Sequence, residues 1–480
     1  MFRYIWTGLV ASIALAMTAT GVPAPARGGA DAVRARVQGG TLIGMLDGDV
    51  RSFKGIPYAA PPVGPLRFAL PQPVVPWSGE RAANDFGPSC MQSPMPRNVL
   101  PGSRGAQTSE DCLTLNVWAL QAAKQAPVMV WIHGGGNQNG SSAVKYYDGT
   151  AFARDGIVLV SLNYRLGSLG FQPHSAAANF GLWDQVAALQ WVRKNIAVFG
   201  GDPDNVTVFG ESAGGQDTLA LMTAAPARGL FQKAIVESGG GGWRPNPKIS
   251  QEESADHVGE WGVIVDGHLL KEPVMSAFAG GRAARIPLII GTNSEEGSLL
   301  GLDAHSEGLF PQLSRDDMAK LKALYGAQAP NDEEFARLVF RDGYFASEAR
   351  WIASKLNAAG SPAYLYRFGY VLGALQPRRA GAYHGSEIPF VFDRMPEVHL
   401  DDADARVERA LHNCWVAFAR TGKPACDDAP DWPIFEPGGK WMVFDARPSV
   451  RLLDDGAALD LLQCRLAETI PLAAGSCPAK

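Results

Sequence analysis

The chain has 480 residues, 46% of them apolar, and its 48 acidic and 43 basic side chains leave a formal charge of −5. Charges of both signs are mixed along the sequence, which argues against nucleic acid and anionic membrane surfaces as partners. There is no internal repeat, low-complexity block or clean linker, so residues 27–480 read as one large domain with a sizeable core.

Residues 1–26 read as a removable export signal. Arg3 precedes an uncharged stretch whose apolar centre, through Ile5, Leu9, Val10, Ile13, Leu15 and Met17, falls short of the roughly 18 to 20 residues that span a bilayer. Ala24-Pro25-Ala26 offers small residues to a signal peptidase; an uncleaved anchor is the alternative. Export implies a secreted or periplasmic protein with no membrane contact once the signal is removed. The six cysteines, Cys90, Cys112, Cys414, Cys426, Cys464 and Cys477, form an even set, which in an exported chain favours disulfides. Neither Cys-x-x-Cys nor His-Glu-x-x-His occurs, so no metal is expected.

Residues 34–58 alternate apolar and polar around Gly39-Gly40 and Asp47-Gly48, as antiparallel strands at a sheet edge do. Residues 57–76 are proline-rich and predicted irregular, held to the surface by Phe68 and the adjoining Trp77. Short apolar runs bounded by turns predict buried strands at 113–120, 127–132, 157–163, 205–209, 234–237, 287–291 and 364–368. Leu182, Val186, Leu189, Val192 and Ile196 recur at helical spacing. Further helices are predicted at 316–324, 332–339, 348–356 and 404–421. Such alternation argues for an α/β fold with a mostly parallel sheet covered on both faces.

Three stretches carry chemistry. Trp131-Ile132-His133-Gly134-Gly135-Gly136 leaves a predicted strand with consecutive glycines, whose backbone N–H groups are free to turn toward an oxygen that gains charge. A phosphate loop is the competing reading, but neither nucleotide-binding glycine pattern fits. Val206-Thr-Val-Phe-Gly-Glu-Ser-Ala-Gly-Gly215 reads as strand, sharp turn and helix. Gly210 and Gly214 let strand and helix approach closely while Ser212 takes a strained conformation that exposes its hydroxyl, beside the positive end of the helix. A serine nucleophile needs a base. Of eight histidines, His384 stands in a glycine-flanked loop shortly after a predicted strand, whereas His133 belongs to the glycine run, His412 to a helix and His399 to a charged run. An acid to orient the imidazole is offered at another strand end by Glu295 and Glu296.

Together with Phe53-Lys-Gly-Ile-Pro-Tyr-Ala, Pro62-Val-Gly-Pro-Leu-Arg-Phe, Glu110-Asp-Cys-Leu-Thr-Leu-Asn-Val, Asn163-Tyr-Arg-Leu-Gly and Phe199-Gly-Gly-Asp-Pro, these motifs make the chain resemble the type-B carboxylesterases. That family includes cholinesterases and bacterial para-nitrobenzyl esterases. The resemblance covers most of residues 35–445 and implies an α/β-hydrolase fold acting on small-molecule esters without a cofactor. It implies Ser212 as nucleophile, Glu296 as acid, His384 as base, and an oxyanion hole from the N–H groups of Gly135, Gly136 and Ala213. It also implies a Cys90–Cys112 disulfide and structural ion pairs Arg67 with Glu110 and Arg165 with Asp184. Proximity alone suggests Cys414 with Cys426 and Cys464 with Cys477.

Three departures stand out. Glu296 follows Ser212 by only 84 positions (296 minus 212), the shortfall falling between Gly242 and Gly262, which implies a wider substrate gorge. Asn137 follows the glycine run where an aromatic is frequent, an expected change in the acyl-side wall. The Cys90–Cys112 loop lacks Trp, Tyr and Phe, which disfavours choline ligands. A transacylase or an esterase for bulky natural esters is the alternative enzyme, and a non-catalytic binding protein the alternative of another class. An ordinary histidine base predicts a rate that falls on the acid side at roughly pH 6 to 7.

Overall fold

The computed structural model describes residues 31–92, 107–174, 177–240, 262–301, 304–378, 381–395, 399–427 and 429–470. The signal expected over 1–26, the short stretch between Gly242 and Gly262 apart from Gly262 itself, and Cys477 lie outside these residues.

A 13-stranded sheet frames the molecule. Its path runs Asp31–Val37, Gly40–Asp47, Val50–Pro57, Thr114–Leu120, Val158–Leu162, Ala126–Ile132, Gly201–Glu211, Lys233–Glu237, Leu288–Asn293, Ala363–Phe368, Trp441–Phe444 and Ser449–Arg451, with Glu80–Ala82 paired beside Gly40–Asp47. From Val158–Leu162 to Trp441–Phe444 every pairing is parallel. Parallel strands covered on both faces read as continuous apolar runs. Accordingly, every residue of Val158–Leu162, Lys233–Glu237, Leu288–Asn293 and Ala363–Phe368 is buried. The amino-terminal strands are antiparallel, and Val37 facing Gly40 and Asp47 facing Val50 close two-residue turns.

Side chains alternate across the sheet into two cores. Val128, Val130 and Ile132 enter one, shared with Leu182 and Val186 of the helix Phe180–Asn195 and with Ile352 of Ser347–Ala358. Met129 and Trp131 enter the other, against Phe152 and against Val407, Leu411 and Trp415 of the helix Asp402–Thr421. That last helix has clear ends: Asp401 and Asp404 form a reciprocal capping box, and Gly422 closes it in the left-handed conformation.

Several boundaries differ from those predicted. The strand before the Ser212 turn begins at Gly201 rather than 205, because its register shifts between Gly201 and Val206 and lets a polar stretch lie within it. Asp332–Phe340 and Ser347–Ala358 run together through a π-helical segment, Arg341–Ala346. Trp441–Phe444, Ser449–Arg451 and the helix Gly456–Thr469 add elements that no sequence pattern had signalled. Pro57 ends the strand Val50–Pro57, residues 58–76 are irregular apart from a short helical turn at Gly64–Leu66, and the Trp77 ring covers Gly39 and Gly40 while its Nε1 donates to the Thr41 carbonyl at 3.1 Å. Cys90 is bonded to Cys112 and Cys414 to Cys426. Both expected ion pairs form, Arg67 with Glu110 at 2.9 Å on the surface and Arg165 with Asp184 at 2.7 Å in the interior.

Candidate active site

Three loops at the carboxyl ends of the parallel strands build the site. The first is the turn after Gly201–Glu211. Ser212 sits there at φ 56°, ψ −123°, directly before the helix Ala213–Thr223. The two flanking glycines are required: a methyl group on Gly214 would lie 2.0 Å from the Ile132 carbonyl oxygen, and one on Gly210 would lie 2.6 Å from the Gly214 backbone. The turn is pinned from the next strand by the Ser212 N–H donating to the Glu237 carbonyl at 2.8 Å. Its unusual backbone conformation leaves the serine side chain half-buried, and among the described residues its Oγ makes no hydrogen bond.

The second loop follows Leu288–Asn293 and carries both candidate acids. Glu296 is fully buried. Its Oε1 accepts from Ser238 Oγ at 2.5 Å, Thr292 Oγ1 at 2.9 Å and the Asn293 N–H at 2.7 Å. Burial would raise this carboxyl, but the charge of His384 and the bonds from His384, Asn293 and Ser238 outweigh burial and hold it below the ordinary range. Glu295 points elsewhere, with Arg337 at 3.6 Å.

The third loop follows the neighbouring strand Ala363–Phe368 and carries His384. It is stitched to the second: Glu295 N–H donates to Ala382 O at 2.9 Å, Asn293 Nδ2 to Tyr383 O at 2.9 Å, and His384 N–H to Ser298 Oγ at 3.1 Å. His384 Nδ1 lies 2.6 Å from Glu296 Oε2. An ionised carboxylate only accepts, so this contact assigns the proton to Nδ1 and leaves Nε2 to face the turn that bears Glu211 and Ser212. There Nε2 is 3.0 Å from Glu211 Oε1, in ion-pair range but outside the alignment of a hydrogen bond.

Glu211, the residue before Ser212, is a neighbour that the motif reading overlooked. Burial, reinforced by the charge of Glu296 and opposed by that of His384, pushes its carboxyl up to about 7. His384 responds in turn. Burial alone would lower it, but the charges of Glu211 and Glu296 and the bond to Glu296 raise it to about 10. Two neighbouring carboxylates thus favour the protonated form of this imidazole over that of an ordinary histidine. Glu237 and Glu387 lie behind this group, both fully buried and both shifted upward by burial and by neighbouring carboxylates.

Facing the serine is the glycine loop, where Gly135 and Gly136 have φ of 107° and 63°. Among the described residues, the N–H groups of Gly135, Gly136 and Ala213 donate to no acceptor. His133 is buried behind the loop, its ring 4.6 Å from that of Tyr164, and burial lowers it to about 4. Asn137 is 1% exposed and turns inward to Asp217, so its side chain does not take the place an exposed aromatic would occupy. His412 belongs to the scaffold, between the Val391 carbonyl at 2.7 Å and Asp155 at 3.0 Å.

The model of the Carboxylesterase family matches residues 31–244 and 243–454 of this chain. The chain belongs to the carboxylesterase family. Among its carboxylesterase relatives, the fumonisin B1 esterase of Sphingopyxis macrogoltabida is 34% identical, with 89% of each chain covered. The para-nitrobenzyl esterase of Bacillus subtilis is 36% identical over 86% of this chain and 95% of its own. A solved structure of a PNB esterase superimposes with a TM-score of 0.77 at 31% identity, over 89% of this chain and 99% of that one. The fold is thus the α/β-hydrolase fold and the enzyme a carboxylic ester hydrolase. No helix among the described residues of this carboxylesterase is long and apolar enough to cross a membrane.

Proposed function

We propose that this carboxylesterase works through an acyl-enzyme formed on Ser212, with His384 as general base and Glu296 as the acid that orients it. Ser212 Oγ attacks the ester carbonyl carbon and its proton passes to His384 Nε2. The tetrahedral oxyanion is held by the N–H groups of Gly135, Gly136 and Ala213, which are fixed before charge develops. Collapse expels the alcohol, which takes the proton back from His384. Water then gives a proton to the same nitrogen and attacks the acyl carbon; collapse breaks the bond from that carbon to Ser212 Oγ, the serine oxygen takes the proton back from His384, and the acid leaves. Glu296 stays ionised throughout and stabilises the imidazolium.

The observation that carries this reading is the 2.6 Å contact from His384 Nδ1 to Glu296 Oε2, made across loops from adjacent strands and aiming Nε2 at the turn that bears Ser212. In a substrate-free site, catalytic hydrogen bonds are commonly long or misaligned and tighten only in the complex. The Nε2 contact with Glu211 is the resting arrangement, and a neutral imidazole turns its lone pair to Ser212 when substrate arrives. The substrate proposed is a small-molecule carboxylic ester, and no cofactor is needed. The protein acts outside the cytoplasm after removal of residues 1–26, with 27–480 as one domain.

Labelling with diisopropyl fluorophosphate followed by peptide mass spectrometry tests the assignment. One phosphoryl group per chain on Ser212, and none in H384Q over the same time, is the expected result. Label on another residue, or equal labelling of H384Q, contradicts it.

A further inference from the structure

The oxyanion donors come from two separate pieces of chain: the glycine loop supplies Gly135 and Gly136, and the helix Ala213–Thr223 supplies Ala213. For the three N–H groups to converge, loop and helix must be held in register, and a misplacement of about 1 Å at a reacting centre costs roughly 100-fold in rate. Close packing of Gly214 against the Ile132 and His133 carbonyls seats the root of the loop on the helix, and Gly135 and Gly136 lie beyond that contact. Gly135, Gly136 and Asn137 all have positive φ, and the local bonds, Gln138 N–H and Asn139 N–H to the Gly135 carbonyl, only close the loop on itself.

A buried side-chain strut joins the two pieces. Asn137, immediately after the glycine run, donates from Nδ2 to Asp217 Oδ1 at 3.1 Å. Asp217 lies one helical turn beyond Ala213, on the same face of the same helix. Its second oxygen accepts from Gln185 Nε2 at 2.5 Å, so a third element, the helix Phe180–Asn195, braces the acid from behind. Asp217 and Gln185 are fully buried and Asn137 is 1% exposed, so water does not compete for these bonds. On the other side of Asn137, the Tyr164 hydroxyl is 3.2 Å from Oδ1, and the Asn137 carbonyl accepts the Gly167 N–H at 2.7 Å. A buried carboxylate held by amide donors, with no cation against it among the described residues, is an expensive way to fill a core position. Its geometry explains its presence.

We propose that Asp217 is a positioning residue of the oxyanion hole, acting through Asn137 to lock the glycine loop against the nucleophile helix. This rests on the reading of Ser212 and the oxyanion donors given above. Among the described residues the strut makes no hydrogen bond to Ser212, so its loss is expected to lower the stabilisation of the tetrahedral state and to leave ester binding largely intact.

The test uses the full-length enzyme on 4-nitrophenyl acetate, with N137A, D217A, the double variant and D217N, each checked by thermal unfolding. N137A and D217A are each expected to lower kcat by roughly 10- to 100-fold with KM within about threefold. The double variant should be no worse than the poorer single one, because both delete one bond. D217N should recover at least about tenfold over D217A, since its Oδ1 accepts from Asn137 while its amide donates to Gln185 Oε1, which has no hydrogen-bond partner among the described residues of the wild type. N137A cuts the same bond from the loop side and decides the matter if D217A does not fold. A folded N137A with kcat within threefold of wild type overturns the proposal. So do losses that multiply in the double variant, or D217N as slow as D217A. Wild type labelled on Ser212 beside an unaffected N137A sinks the strut alone, whereas unlabelled wild type sinks both readings.

Discussion

At the scale of single residues, the site is governed by how many carboxylates surround one imidazole. His384 has Glu296 on Nδ1 and Glu211 opposite Nε2, and the two charges raise it to about 10. A general base must be neutral to accept a proton, so if His384 is the proposed base, activity is expected to rise with pH with a midpoint above the ordinary histidine value of about 6.5. Removing the charge at Glu211 removes one of the two anions that favour the imidazolium. E211Q is therefore expected to move the acid limb of the kcat/KM profile to lower pH. A limb that stays in place, or moves up, shows that Glu211 does not act on the base. The motifs offered a candidate nucleophile and base by residue type and order and left Glu295 and Glu296 as candidate acids, while Glu211 stood inside the serine motif unremarked. Its importance comes from a distance across the fold, which no spacing in the chain encodes. Asn137 makes the same point. An amide in place of an aromatic reads as a changed wall, and only the partner 80 residues away shows it to be a strut.

At the scale of elements, the parallel strands were legible because burial on both faces leaves them few polar positions, and the helices because their apolar faces recur at helical spacing. What escaped has a physical cause in each case. The bulged start of Gly201–Glu211 looks like a turn because it holds Asp202-Pro203-Asp204. Trp441–Phe444 is only 4 residues long and is a strand because its neighbour Ala363–Phe368 pairs with it. The helix Phe180–Asn195 is fixed to the strand-end loop before it by Asp184, which takes Arg165 Nε at 2.8 Å and Nη2 at 2.7 Å, while Nη1 reaches the Arg67 and Ala69 carbonyls at 3.2 and 2.9 Å. D184A would strand a buried guanidinium among three segments. Urea unfolding should show a loss of about 3 to 5 kcal/mol, and a loss below about 1 kcal/mol would mean that this pair behaves as a surface one.

At the scale of the whole molecule, the residues proposed to act are spread from Gly135 to His384, and parallel strands deliver their loops to one edge of the sheet. The Cys90–Cys112 disulfide staples the region beside Arg67–Glu110, across a separation of 22 residues. Its removal in C90A/C112A is expected to cost about 2 to 4 kcal/mol, read as a lower Tm, with kcat little changed; an unaltered Tm refutes a stabilising role. The measurement that bears most directly on the account is turnover of an aryl ester by S212A, with folding checked by circular dichroism. The account predicts a fall in kcat of roughly a millionfold at unchanged Tm, and a folded S212A that keeps a tenth of the wild-type rate contradicts it.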